Sequence, residues 1–505
     1  MAVQELIELR QPVQIPTIGD MPNDVLIWDS SHLGAAVSKR ACVVGAGPNG
    51  LSAASVLAHR GLQVDIFDAE AIPGGAARTL ELTLPGFRHD FGSAVHPLAA
   101  GSPFFSSLPL RQYGLEWIHS PAPLAHPLDD GTAVVLERDL HDMELALGKD
   151  GKSWRKLVEP LAKHWFEFVP DVLSPQPSIP SHPILMAKFG LSALPSARFT
   201  ANLHFKDKRT KALWAGLAGH SFLSMEEALS SSFAVVLGAA AHAIGWPIAR
   251  TGSQAITYAL CQYLSTLGAV VKTSTRVESL DDLTGYEVIC CDVTPRQLLR
   301  LGERRFGSAY KRQLANFSYG PAAFKVDYAL SEPIPWKAPE CQRAATLHLG
   351  GSFDEIAESE SAVRNGKHAE RPFVLLSQPS LFDPSRAPAG KHVAWAYCHV
   401  PNGSDFNMLE RLESQIERFA PGFRDCVLAR NICTPAVLER MDANLVGGDI
   451  NGGTLNCANF LFRPTWRHYA TSASGVYICS SSTPPGGGVH GMCGYHAANL
   501  ALSRL

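Results

Sequence analysis

Gly45, Gly47 and Gly50 stand in the spacing GxGxxG, within Gly45-Ala46-Gly47-Pro48-Asn49-Gly50, and the carboxylate of Asp68 follows 23 residues after the first of them. Residues of these types can hold a diphosphate and a ribose. Gly45 permits a tight turn, Gly47 leaves the backbone open to a pyrophosphate, and Gly50 lets a helix lie close to a strand. The N-terminus of a helix that follows presents free N–H groups and a positive dipole end to phosphate. Asp68 is spaced to accept hydrogen bonds from ribose hydroxyls. The elements that must position these groups surround them. Ala41–Val44 is an apolar run, an alanine-rich helical stretch follows Pro48 and Asn49, and a second apolar run, Val64–Phe67, ends on Asp68. Strand, glycine turn, helix, strand and acid in register read as a dinucleotide site. An ordinary glycine-rich turn does not account for the acid.

Two further segments extend this site. Gly74-Gly75 with Arg78 three residues on can bring backbone and a guanidinium to a pyrophosphate. Near the C-terminus, Gly475–Ser480 reads as a short strand, Thr483-Pro484-Pro485-Gly486-Gly487-Gly488-Val489-His490-Gly491 as a glycine-rich loop, and the remainder as a helix. A second strand, glycine loop and helix at the far end suits FAD. The first unit holds its ADP half, and the last helix turns its dipole toward the flavin N1 and C2=O. Thr483, Pro485, Gly487, Gly488, Val489 and His490 are therefore assigned to the cofactor, as is Val277 from the Val270–Leu280 stretch.

The 505 residues are enough for two or three domain-sized cores. Hydrophobic residues make up 46% and charged residues 18%, which is globular composition. Forty-four Lys and Arg against 47 Asp and Glu, with no strong basic run, argue against nucleic acid as a partner. The eleven cysteines show no CxxC pair and no Cys/His metal spacing, which fits reduced thiols in a cytoplasmic protein without a metal centre. The first forty residues carry Glu5, Glu8, Asp20, Asp24 and Asp29, unlike a secretory signal or a transit peptide. Phe233–Ala241 is too short to span a bilayer and is expected to be a buried helix. Ile184–Leu191, apolar with one charge, is also expected in a core helix. A substrate lid or a peripheral rest on a membrane surface is the alternative. Residues 255–267 read as a helix, Val270–Leu280 as a strand pair, and 287–300 as a strand followed by a helix opened by Thr294-Pro295.

The segments VVGAGPNGLSAA, Gly74-Gly75 with Arg78, LPGFRHDFGSAVHPLA, YGPAAFKVDYAL, GGDINGG and STPPGGGVHGMCGYHAA together resemble FAD-dependent oxidoreductases of the phytoene desaturase type. The resemblance includes the group called pyridine nucleotide-disulphide oxidoreductase domain-containing protein 2 and covers about residues 40–505. It implies an α/β fold: a Rossmann-like FAD-binding domain of the glutathione-reductase/amine-oxidase type with a discontinuous α+β substrate domain. The expected division gives 1–38 to an N-terminal extension, 39–104, 245–302 and 466–505 to the FAD domain, and 105–244 and 303–465 to the substrate domain. The resemblance further implies FAD stretched between the domains and a tunnel for a lipophilic small molecule ending at the isoalloxazine. Two features depart: Cys479-Ser480-Ser481-Ser482 stands where relatives often carry glycines or an acid, and the C-terminal domain lacks the Glu/Tyr pattern typical of amine oxidases.

Three residues are candidates for chemistry beyond the cofactor's own. Lys325, in the apolar strand after Gly320-Pro321, locally resembles, with the glycine spacing different by one, the place where amine-oxidase-like flavoproteins use a lysine to hold a water against flavin N5; a lysine pointing to solvent is the plain reading. Asp449, in the glycine-flanked Gly447–Gly453 loop with Asn451, can orient a substrate or simply stabilise a turn. His96 belongs to a stretch that should still lie near the cofactor. Cys457 is weighed as a flavin attachment point against a structural thiol. One convincing GxGxxG leaves oxygen or another acceptor, rather than a nicotinamide site, to reoxidise the flavin. The resulting expectation is hydride exchange that desaturates, saturates or isomerises a C–C bond. A flavin amine or alcohol oxidase and a non-catalytic prenyl- or lipid-binding protein of the same fold are the alternatives.

Overall fold

A computed structural model describes residues 39–505 apart from Asn456, and gives no side-chain placement for Cys457, Ala458 and Phe460. The extension expected at 1–38 and the role weighed for the Cys457 thiol lie outside the described residues. Two sheets carry the fold. Their strands in chain order are β1 (Arg40–Val44), β2 (Gln63–Phe67), β3 (Ala122–Pro127), β4 (Ala133–Leu136), β5 (Val270–Lys272), β6 (Val288–Cys291), β7 (Ala322–Leu330), β8 (Ala344–Leu349), β9 (Val374–Ser377), β10 (His392–Val400), β11 (Val427–Cys433) and β12 (Val476–Ile478). The helices that shape the site are α1 (Pro48–His59), α2 (Pro183–Ala193), α3 (Lys208–Gly219), α4 (Ser230–Ala243), α5 (Gln254–Thr266), α6 (Pro295–Leu301), α7 (Phe353–Arg364), α8 (Pro435–Met441) and α9 (Met492–Leu502).

The first sheet runs β12-β6-β1-β2-β5 and is parallel throughout. Its short apolar strands are covered on both faces, as parallel sheets require. Ala41, Val43, Val64 and Ile66 face the large core that includes α1 and α5. Cys42, Val44, Ile289 and Cys291 face a smaller core with Leu298 and Leu301 of α6. Pro48 opens α1 at a position where its missing N–H costs nothing. The small residues of α1 are buried from Asn49 to Ala58. The last helix, α9, lies directly against it: a Cβ on Gly494 would sit 1.9 Å from the Asn49 carbonyl oxygen, so only glycine allows this approach. The two ends of the described chain thus meet in one layer.

The second sheet runs β11-β7-β10-β9-β8-β3-β4, antiparallel except for the β3–β8 pair. One of its faces buries Phe324, Val326, Ala394, Ala396 and Leu376 against Leu412, Ile416 and Phe419. The other carries Lys325, Asp327, Trp395, Tyr397, His348 and Thr346, which the register places on one side. Helix α3 covers part of that face and depends on Gly216, where a Cβ would meet the His348 ring at 2.6 Å.

Phe233–Ala241 lies in α4 and is largely buried, as expected. Two expectations need correction. Only β5 forms within Val270–Leu280: beyond it Ser274 N–H donates to Glu70 O and Thr275 N–H to Asp68 O, so the chain is tied to the end of β2 and builds no second strand. Helix α2 is not a core helix. Its apolar residues circle the helix, and only one side finds a partner, with Phe189 edge-on to Phe168 at 5.1 Å, while Ile184 and Leu191 are 75% and 81% exposed. No helix among the described residues is long and apolar enough to cross a membrane.

Candidate cofactor and active site

The glycine loop lies at the C-terminal end of β1, where the chain leaves β1 in one direction and β6 in the other, the crevice that open α/β sheets use for ligands. Gly45 takes a positive φ of 103° and its N–H donates to Phe67 O at 2.7 Å. Gly50 packs as expected: a Cβ there would lie 2.1 Å from Gly45 O. Gly47 has a further reason for being glycine. Its absent Cβ leaves room for the carboxylate of Asp292, whose Oδ2 would be 2.9 Å away and accepts the Gly50 N–H at 2.8 Å. Asp292 follows β6 directly, and burial pushes its pKa up to about 7. It is the residue of this site that the sequence reading missed. The only local signal is an acid at the end of an apolar strand.

Asp68 is buried at the end of β2. Oδ2 accepts the Ala46 N–H at 2.7 Å and Oδ1 accepts the Glu70 N–H at 2.8 Å. Burial raises its pKa. The carboxylate therefore ties the glycine loop to the strand end, with lone pairs left over for a further donor. Thr275 leaves the chain beside Asp68, and Val277 follows half-buried against the smaller core. Gly74 and Gly75 both have positive φ, and a Cβ on Gly75 would lie 3.3 Å from Gly47 Cα, so the second glycine turn rests on the first. Arg78 is buried. Its Nε donates to Gly75 O at 2.9 Å and its guanidinium donates to Met441 O at the end of α8. It thereby joins the glycine turns to the segment that follows the second sheet.

The C-terminal loop arrives from β12, beside β6. Thr483 Oγ1 donates to Ser480 O at 2.8 Å, and Pro485 and Gly486 lead into Gly487, which lies against Asn451. Val489 packs on the large core. His490 O accepts from Ser102 Oγ at 2.6 Å and its Nδ1 accepts the Met492 N–H at 3.0 Å. The Asn49 Oδ1 at the start of α1 is buried without a hydrogen-bond partner among the described residues, and the His490 ring lies against the backbone of Gly486 and Gly487. Burial lowers His490 to about 4, so the ring is neutral. An orphaned polar atom at the meeting point of α1 and α9, with glycine turns on either side, is what a polar cofactor there would satisfy.

The three catalytic candidates are placed as follows. His96 is buried beside the helical turn at Pro97–Ala100, whose Leu98 reaches Gly488. Its Nε2 pairs with Ser253 Oγ at 2.7 Å, and that hydroxyl donates to Ser93 O. The hydrogen therefore sits on Nε2, and Nδ1 presents a bare lone pair with no partner among the described residues. Burial lowers this histidine to about 4. Lys325 does not point to solvent: it is 4% exposed and ion-paired with Asp327 on the same strand. Its amine is thus already engaged. Asp327 also lies 3.9 Å from His89 Nδ1, so this pair adjoins the segment that leads to His96. Asp449 accepts three backbone N–H bonds, from Gly320, Asn451 and Gly453 at 2.7 to 2.8 Å. Those bonds pin the loop; the turn-stabilising reading accounts for the carboxylate better than substrate contact does.

Residues 43–105 match the family model described as an NAD(P)-binding Rossmann-like domain. Pyridine nucleotide-disulfide oxidoreductase domain-containing protein 2 from Mus musculus is 25% identical over 551 residues, covering 92% of this chain and 93% of that protein. Phytoene dehydrogenase from Streptomyces griseus is 26% identical over 383 residues, covering 71% of this chain and 72% of that protein. Among solved structures, an oxidoreductase from Methanosarcina mazei superposes with a TM-score of 0.61 at 17% identity, covering 92% of this chain and all of the other, a likeness of fold. Over most of its length this chain is similar to the phytoene desaturase-like oxidoreductases and to the pyridine nucleotide-disulphide oxidoreductase domain-containing protein 2 group, and it carries their Rossmann-like domain.

Proposed function

We propose that this chain is an FAD-dependent oxidoreductase that desaturates, saturates or isomerises a carbon–carbon bond in a lipophilic substrate. The observation that carries the reading is the convergence of two glycine loops, from opposite ends of the chain, on the N-terminus of α1, with Asn49 Oδ1 left for a polar ligand. Gly45 to Gly50, Asp68, Gly74, Gly75, Arg78 and Val277 would hold the ADP half. Thr483, Pro485, Gly487, Gly488, Val489 and His490 would hold the flavin end. When bound, FAD supplies hydride exchange at its N5. The chain supplies position and exclusion of water. His96, neutral at physiological pH, offers Nδ1 as a hydrogen-bond acceptor. Lys325 and Asp327 neutralise each other beside His89. The names of relatives support the substrate class: one is a phytoene dehydrogenase and another an all-trans-zeta-carotene desaturase. With one glycine motif of the nicotinamide or flavin type, oxygen or another acceptor is the proposed oxidant.

A flavin amine or alcohol oxidase is the second reading, favoured by the polar residues of the second sheet. Purified protein tests the proposal. It is expected to be yellow, with bands near roughly 375 and 450 nm, and to be reduced anaerobically by a member of a carotenoid, retinoid, amine and quinol panel. Colourless protein that cannot be reconstituted with FAD would overturn the reading in favour of a binding protein.

A further inference from the structure

Thr346, Ser377, Trp395 and Asp327 form one row across four neighbouring strands, β8, β9, β10 and β7. The register pairs Thr346 with Ser377, Ser377 with Trp395, and Trp395 with Asp327. Directly opposed residues share a face and lie roughly 5 Å apart at Cβ. The first three are each more than nine-tenths buried, and Thr346 Oγ1, Ser377 Oγ and Trp395 Nε1 have no hydrogen-bond partner among the described residues. Buried polar atoms are nearly always paired, so three orphans in consecutive places of a single row ask for a common partner.

Their chemistry narrows that partner. An indole N–H only donates, and each hydroxyl can donate or accept, so an alcohol oxygen, which accepts two hydrogen bonds and donates one, satisfies all three. The row ends on Asp327, already neutralised by Lys325, and so offers no net charge to a ligand. A carboxylate or an ammonium would be buried there without a counter-ion, which is costly. A neutral oxygen is not. Beside the row, Trp395 stacks on Tyr397 with ring centroids 5.5 Å apart, and Tyr397 neighbours His399 at 5.7 Å. These rings would cover an apolar body adjacent to the oxygen.

We propose that the substrate is a neutral oxygenated lipid, an alcohol, whose hydroxyl is held by Thr346, Ser377 and Trp395. The inference rests on the oxidoreductase reading, in which this face of the second sheet is the substrate side. It separates the substrate from a pure hydrocarbon polyene and from an amine.

The test uses the flavin-loaded protein titrated with farnesol, farnesene and farnesylamine, read by flavin difference spectra. Farnesol is expected to bind at least about tenfold more tightly than either of the others. Ser377→Ala combined with Thr346→Val is expected to bring the farnesol-to-farnesene ratio close to one while moving farnesene less than about twofold. Trp395→Phe is the independent variant if the double substitution does not retain flavin. Equal affinity for farnesol and farnesene in the unsubstituted protein overturns the proposal, as does equal weakening of both ligands in the variants, which marks the row as structural. Absence of flavin from the unsubstituted protein overturns the parent reading instead.

Discussion

Single side chains decide how the glycine loop is built. Gly47 makes room for Asp292, so Gly47→Ala must displace a carboxylate that holds the Gly50 N–H. Loss of such a bond costs about 1–3 kcal/mol. Gly47→Ala is expected to lower flavin content, and Gly47→Ala with Asp292→Ala to recover part of it, measured by absorbance ratio after gel filtration. A double variant as pale as the single one would return Gly47 to the pyrophosphate. At the Lys325–Asp327 pair, removing one partner strands a buried charge at a cost of about 3–5 kcal/mol. Lys325→Met is expected to lower the Tm sharply, and Lys325→Met with Asp327→Leu to regain most of it. If Tm is regained while substrate reduction of the flavin stays at least about tenfold slow, the lysine acts in chemistry as well as in folding.

At the scale of elements, α2 gives the sharpest contrast between pattern and place. Its composition suits a core, but Ile184 and Leu191 stand in solvent. Ile184→Ser and Leu191→Ser are therefore expected to shift stability by less than about 0.5 kcal/mol in denaturant titrations, where a core position would cost about 2–5 kcal/mol. A large loss would show that α2 is covered in solution. Elements whose signals are local were legible from the sequence: the turn from β1 into α1, Asp68 at the end of β2, α5 and the glycine loop before α9. Asp292 was not, because its partner Gly50 is distant in the chain and only the β1–β6 pairing brings them together. The Thr346–Ser377–Trp395 row was illegible for the same reason. Each residue is ordinary in its own strand, and the row exists only in the register. The strand expected after β5 failed because hydrogen bonds to Asp68 and Glu70 drew the chain aside.

For the whole molecule, buried histidines set the response to acid. Burial lowers His89, His96, His126, His490 and His496 to about 4, and His220 to about 3, from 6.5. A group lowered on folding stabilises fully above its unfolded value and loses that contribution as pH falls toward its folded value. Each of these histidines should therefore cost roughly 1.4 kcal/mol per pH unit below about 6.5. Asp292 works in the opposite sense, since its pKa is raised from 3.8 to about 7 and the folded state gains as it protonates. Asp68, Asp442 and Asp449 are raised by burial in the same sense, but the six histidines outnumber these four carboxylates, and unfolding followed by circular dichroism is expected to begin between about pH 6 and 5. A flat profile down to pH 4 would mean that these rings are not neutral and enclosed. The meeting of α1 with α9, and of β6 with β12, also has a consequence for biosynthesis. A ribosome must deliver Gly494 before Asn49 has its neighbour, so a growing chain carries half a binding crevice for most of its translation. On the proposed cofactor site, nucleotide capture would require the residues after 475, and nascent chains stalled before residue 475 should leave the cofactor in solution.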